Sequence, residues 1–122
     1  VVASIVEAGG RAIRASAESR APFDALLFAH VLEHMSRADA AALIAHWLPS
    51  LRSGGRVVLI APQEAGFRSD PTHVEHLDAD ALRELLSGAG CAIERVYSFP
   101  FPRAVGRVFP YNESVAVGRL QS

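Results

Sequence analysis

Two histidines and a glutamate, His30, Glu33 and His34, follow directly on the apolar run Phe23-Asp24-Ala25-Leu26-Leu27-Phe28-Ala29. Imidazole and carboxylate are the side chains best suited to moving protons near neutral pH. A second group of the same kind, His73, Glu75 and His76, stands in the polar stretch 63–76. The spacing His30-x-x-Glu33-His34 also matches the H-x-x-E-H order of inverted zinc peptidases. That motif needs a continuous helix, so that both histidines face one metal with the glutamate beside them. Here the first histidine follows a strand-like run, and no downstream helix offers a clear third ligand, although Glu75 and Glu84 exist. Zinc hydrolysis is therefore a remote alternative. His73-x-x-His76 and Cys91 read as unrelated residues, and no metal is expected.

The elements that must position these groups can be read from apolar periodicity. Ala25 to Ala29 is a continuous apolar run, typical of a parallel strand buried on both faces. In open α/β sheets, ligands bind beyond the carboxyl ends of such strands, which is where His30 falls. Val2, Ile5 and Val6 share a helical face that Gly9-Gly10 would end, and Arg11 to Ala15 reads as a short strand. Ser36-Arg37-Ala38-Asp39 resembles a capping box. Leu43, Ile44, Trp47, Leu48 and Leu51 then form one helical stripe, shortened at Pro49. Gly54-Gly55 reads as a turn, and Arg56 to Ala61 as a second buried strand stopped by Pro62. Gln63 to His76 is longer than a strand-to-helix loop needs. Asp78 caps a helix whose face is Leu82, Leu85, Leu86 and Ala89, closed by Gly90. Cys91 to Phe99 is a third strand, Pro100 to Tyr111 an aromatic loop, and Glu113 to Leu120 a strand returning antiparallel. This order predicts an α/β fold with a mostly parallel sheet and an antiparallel last strand.

The chain has 122 residues, half of them hydrophobic, which suffices for one domain with a real core. Twelve arginines and no lysine face thirteen acidic residues. A nucleic-acid binder would normally show a basic excess, so none is expected as a partner. The single cysteine, Cys91, cannot form an internal disulfide, which fits a reducing, cytoplasmic setting. No apolar stretch approaches the roughly 20 residues of a membrane span, and residues 1–10 lack the pattern of a signal peptide.

The block Phe23-Asp24…His30-Val31-Leu32-Glu33-His34, followed by Leu51-Arg52-Ser53-Gly54-Gly55-Arg56-Val57-Val58-Leu59, resembles the class I S-adenosylmethionine-dependent methyltransferases. Ser53 stands where the family usually has proline. His73 to Leu86 with Ala89-Gly90-Cys91 is similar to a later family segment, with Cys91 at a usual aromatic position. The resemblance implies S-adenosyl-L-methionine as cofactor, a small molecule as methyl acceptor and a partial Rossmann-like fold. The family begins with a strand, an acidic-x-G-x-G turn and a second strand ending in an acid. These residues contain no such turn, so 1–122 is expected to be a single truncated methyltransferase domain, lacking the family's first two strands. By itself it is expected to bind the cofactor weakly or not at all, and to be inactive. The family's strand order, 3-2-1-4-5-7-6, would leave Ala25–Ala29 as an apolar edge. That edge is expected to be covered by a rearranged N-terminal segment or by a second copy of the chain, a homo-oligomer.

The resemblance also assigns residues. Ser16 and Ala17, followed by Glu18, match the adenine side of the cofactor site. Ala29, His30 and Val31 match the backbone under the methionine portion, with plain core packing as the alternative for Ala29 and Val31. Methyl transfer depends chiefly on alignment, and a base is needed only if the acceptor must lose a proton. His30, Glu33 and His34 are the catalytic candidates, and a pair orienting the loop is the competing reading of Glu33 and His34. His73 and His76, beside Glu75, are candidates to face the acceptor, with Phe101, Arg103 and Tyr111 beside Phe99, Phe109 and Arg107. A lid packed on the sheet end is the alternative for this aromatic loop. The competing function is a non-catalytic fold remnant or interaction module.

Overall fold

The computed structural model describes the backbone of residues 2–8 and 11–16, and residues 22–121 with their side chains. The strands are β1 (Val2–Ala8), β2 (Arg11–Ser16), β3 (Phe23–Ala29), β4 (Leu51–Pro62), β5 (Cys91–Phe99) and β6 (Glu113–Leu120). The helices are α1 (Arg37–Trp47), α2 (Glu64–Arg68) and α3 (Ala79–Gly88). One sheet holds the strands in the order β2-β1-β3-β4-β6-β5. Its last four, β3-β4-β6-β5, have the order that the resemblance implied for the second half of the sheet.

The expectation of a mostly parallel sheet is corrected. β1–β3 and β3–β4 pair in parallel, whereas β1–β2, β4–β6 and β5–β6 are antiparallel. Most pairings are antiparallel because β6 returns between β4 and β5, separating two strands that run the same way. At the other end, β2 folds back beside β1. The helix expected before Gly9 is also corrected, since Val2–Ala8 is a strand. Val2, Ile5 and Val6 are β-branched and suit a strand. A segment this short is a poor helix nucleus. Two short runs flanking Gly-Gly also carry a hairpin signal, and β1 and β2 pair with Ala8 opposite Arg11. Arg11–Ala15 is a strand as expected, antiparallel to β1 and extended by Ser16.

β1 lies along β3, with Val2 opposite Ala25 and Ile5 opposite Phe28. The N-terminal segment thus covers the edge of Ala25–Ala29, so that edge is closed to a second copy. Gly54-Gly55 does not turn the chain. β4 already begins at Leu51, opposite Phe23, and its register to β3 resumes at Arg56 opposite Ala25. The intervening residues bulge, and Gly54 takes a φ of +76°, which glycine adopts without strain. Arg52 Nε bonds Asp24 Oδ1 across this bulge at 2.6 Å.

Among the described residues the core is one apolar cluster. Leu26 and Phe28 of β3 and Val57 and Leu59 of β4 meet Ile44 of α1 and Leu82 and Leu86 of α3, all fully buried. Both long helices start as the sequence predicts. Ser36 Oγ accepts from Asp39 N at 3.2 Å, and Asp78 Oδ1 accepts from Ala81 N at 2.8 Å. α3 lies along β5 and β6 and touches α1, where Arg37 bonds Glu84 at 2.9 Å. No described helix is long and apolar enough to cross a membrane.

Candidate functional site

The parallel strands β3 and β4 end side by side. Ala29 is opposite Ile60, and the His30 N–H donates to Ile60 O at 3.1 Å. His30 then has a φ of +58°, the one positive value outside glycine among the described residues. Left-handed backbone is disfavoured for a residue with a Cβ and often marks a functional position. The turn swings the imidazole toward β6, where His30 Nε2 lies 2.8 Å from Glu113 Oε2. Glu113 opens β6 opposite Pro62 of β4 and Phe99 of β5, level with the same rim. The contact is an ion-pair approach rather than a hydrogen bond, since Glu113 Oε2 has no hydrogen-bond partner. The His30 side chain is 55 % exposed, and its Nδ1 is 3.9 Å from Glu33 Oε2.

Leu32–His34 is one turn of 3-10 helix rather than part of an α-helix, so the H-x-x-E-H spacing does not place its histidines on one helix face. Glu33 is 1 % exposed, and neither carboxylate oxygen has a hydrogen-bond partner. Burial pushes its carboxyl above the usual range, opposed by its own backbone N–H and by His34, His30 and His73. The Glu33 carbonyl accepts from Val74 N at 2.6 Å and Glu75 N at 3.2 Å. These bonds staple the polar loop onto the turn.

His73 consequently sits with Nε2 3.9 Å from Glu33 Oε2 and 3.6 Å from Asp70 Oδ2. Its Nδ1–H donates to Phe67 O at 2.9 Å, and its ring stacks on Phe67 with centroids 5.5 Å apart. The His34 ring meets His73 edge-on at 4.8 Å. His34 Nδ1 lies 3.1 Å from Thr72 Oγ1, and that hydroxyl donates to Asp70 Oδ1 at 2.7 Å. The one hydroxyl hydrogen is thereby committed, so Thr72 accepts from His34 Nδ1–H. The backbone and hydroxyl of Thr72 hold the Asp70 carboxyl below its usual range. Asp70 and Thr72 are thus the support of His34. His76 packs on Phe67 at 5.3 Å, with Nε2 buried and unbonded.

A second wall was not foreseen. The buried Gln63, Asn112 and Ser114 form a polar network with the half-buried Ser98. Gln63 Nε2 donates to Ser98 Oγ at 2.8 Å and Ser114 Oγ at 3.2 Å, and Asn112 Nδ2 donates to Gln63 Oε1 at 2.9 Å. Asn112 Oδ1 accepts from Phe101 N at 2.8 Å, fixing the aromatic loop. A polar residue directly after one strand (Gln63) and directly before another (Asn112) was the available signal.

Phe101, Phe109 and Tyr111 form an edge-to-face series with spacings of 5.5 and 5.6 Å. Phe101 and Tyr111 are largely exposed. Arg103 is bound to Glu64 Oε1 at 2.6 Å, so its charge is already paired. Ser16 is not brought to this rim. It pairs with Ser4, which pairs with Leu27, two strands away and short of the end of β3. Ala17 and Glu18 lie outside the described residues.

No protein-family model and no curated protein matches this chain. Solved structures do. A SAM-dependent methyltransferase from Archaeoglobus fulgidus superposes with a TM-score of 0.64 at 15 % identity, over 82 % of this chain and 60 % of that one. The 1,6-didemethyltoxoflavin-N1-methyltransferase of Burkholderia thailandensis, solved with bound 1,6-didemethyltoxoflavin and S-adenosylhomocysteine, gives 0.62 at 19 % identity, over 87 % and 47 %. Magnesium protoporphyrin IX methyltransferase from Synechocystis PCC 6803, with bound SAM, gives 0.58 at 16 % identity, over 85 % and 42 %. The chain therefore spans between two fifths and three fifths of these proteins. Over most of its length it has the fold of part of an S-adenosylmethionine-dependent methyltransferase.

Proposed function

We propose that this chain is part of a methyltransferase that moves the methyl group of S-adenosylmethionine to a small-molecule acceptor. The observation that carries this reading is the strained turn at His30, at the shared carboxyl end of two parallel strands in a methyltransferase-like sheet. Ala29, His30 and Val31 form the cofactor floor, where small and apolar residues let the backbone approach closely. Of the three catalytic candidates, His30 is the base. The Glu113 carboxylate beside Nε2 favours a positive charge on the ring, which helps His30 to take a proton from the acceptor as the methyl group arrives. Glu33 and His34 shape the pocket beside it. The acceptor lies between the polar loop carrying His73 and His76 and the aromatic loop carrying Phe101 and Tyr111. Arg103 serves an anionic acceptor only by leaving Glu64. Methyltransferases of similar fold have been solved with the small molecules 1,6-didemethyltoxoflavin and apigenin bound.

Calorimetric titration with S-adenosylhomocysteine tests the reading. Weak, saturable binding that disappears in Ala29→Phe is expected. No binding, or binding indifferent to that substitution, would overturn it in favour of a non-catalytic fold unit.

A further inference from the structure

We propose that Glu33, His34 and His73 form a binding site for a divalent transition metal, Zn²⁺ foremost. One ligand atom from each lies within 4.8 Å of the other two. Bonds of about 2.0–2.2 Å in a tetrahedral site set ligand atoms about 3.4 Å apart. Closing the present spacing takes side-chain movements of about an ångström, and the backbone can stay where it is. The donor set of two imidazoles and one carboxylate suits zinc and leaves a fourth position open.

Two independent features point to a cation. First, Glu33 is 1 % exposed and both its carboxylate oxygens lack a hydrogen-bond donor. A buried carboxylate without donors is costly, and a coordinated metal ion removes that cost. Second, each histidine is braced as metal-bound histidines are, through its other ring nitrogen. His73 Nδ1–H is tied to Phe67 O, which leaves the lone pair on Nε2, the nitrogen 3.9 Å from Glu33. His34 Nδ1–H is tied to Thr72, itself anchored on Asp70, which assigns the lone pair to Nε2. The backbone bonds from Val74 and Glu75 to the Glu33 carbonyl hold the two contributing segments together before any metal arrives.

The site differs from the H-x-x-E-H arrangement weighed in the sequence. His30 is engaged by Glu113 and is not a ligand, and the third ligand comes from the loop. It departs from the expectation that no metal is held. It does not rest on the methyl-transfer reading, since binding is measured without cofactor or acceptor.

The test uses the chain without a histidine tag, stripped with chelator and titrated with Zn²⁺ against a chromophoric competitor. Saturation at one ion per chain is expected, with affinity lowered at least tenfold in His34→Ala, His73→Ala and Glu33→Gln. Thr72→Val, which removes only the brace, should weaken binding by about tenfold. His46→Ala, at an exposed position of α1, should change nothing. Absence of saturable binding, or affinity unchanged in both His34→Ala and His73→Ala, would overturn the site. If a variant fails to fold, the imidazole NMR signals of the unmodified chain decide. Zn²⁺ should shift those of His34 and His73 and leave His46 in place, and the reverse pattern would overturn the assignment.

Discussion

Glu33 holds a carboxylate where the sheet end offers it no hydrogen-bond donor. Such a group favours function over stability. Glu33→Gln removes the charge at nearly constant volume, so the chelator-treated protein should gain about 1 kcal/mol, read as a higher urea midpoint. An unchanged or lower midpoint would mean that the carboxylate has a stabilising partner. Glu64 behaves oppositely. The Arg103 guanidinium holds its carboxyl below the ordinary value of 4.5. A group with a depressed folded pKa stabilises above its unfolded value and loses that contribution as pH falls through the folded one. Glu64→Gln should therefore cost less than about 1 kcal/mol at neutral pH, and the difference from the parent should vanish in acid. A difference that persists there would assign the loss to packing. At this scale the sequence marked residues of types able to carry chemistry, because histidines and a glutamate after an apolar run are visible by type. It did not show that His73 rather than His30 completes the cluster around Glu33 with His34. That depends on backbone bonds between Glu33 and residues 74 and 75, which no periodicity encodes.

The elements were legible where apolar pattern and caps agreed. β5, β6, α1 and α3 stand where Cys91–Phe99, Glu113–Leu120, Ser36 and Asp78 predicted them. Asp78→Ala should cost about 1 kcal/mol, measured by thermal or urea unfolding, because the Asp78 carboxylate closes the first turn of α3. The errors lie where glycine pairs admit two meanings. Gly9-Gly10 reads as a helix end, yet the segment before it, Val2–Ala8, is a strand, and Gly54-Gly55 bulges a strand that it was expected to precede. Gly106 illustrates a third use. It lies in the short turn Arg103–Arg107, where a Cβ would overlap the side chain of Gln63. Gly106→Ala should cost about 1–3 kcal/mol and loosen the aromatic loop. An unfolding midpoint equal to the parent's would show that Gln63 yields freely.

For the whole molecule, the parallel pair β3–β4 and the antiparallel insertion of β6 build a rim from which His30, Glu113 and the two loops rise. The order of β3, β4, β6 and β5 followed from the resemblance. A cover for the apolar edge of β3, by the N-terminal segment or by a second copy, was expected from a physical need, and β1 supplies it. Removing residues 1–16 should expose that edge and cause concentration-dependent association in sedimentation, whereas a monomer of unchanged shape would mean that the edge needs no cover. The central claim is that this rim is a cofactor site. It is tested most directly by mapping S-adenosylhomocysteine onto the amide NMR spectrum of the chain. Shifts centred on Ala29, His30 and Val31 are predicted, and shifts centred elsewhere, or none at saturating ligand, would contradict the account.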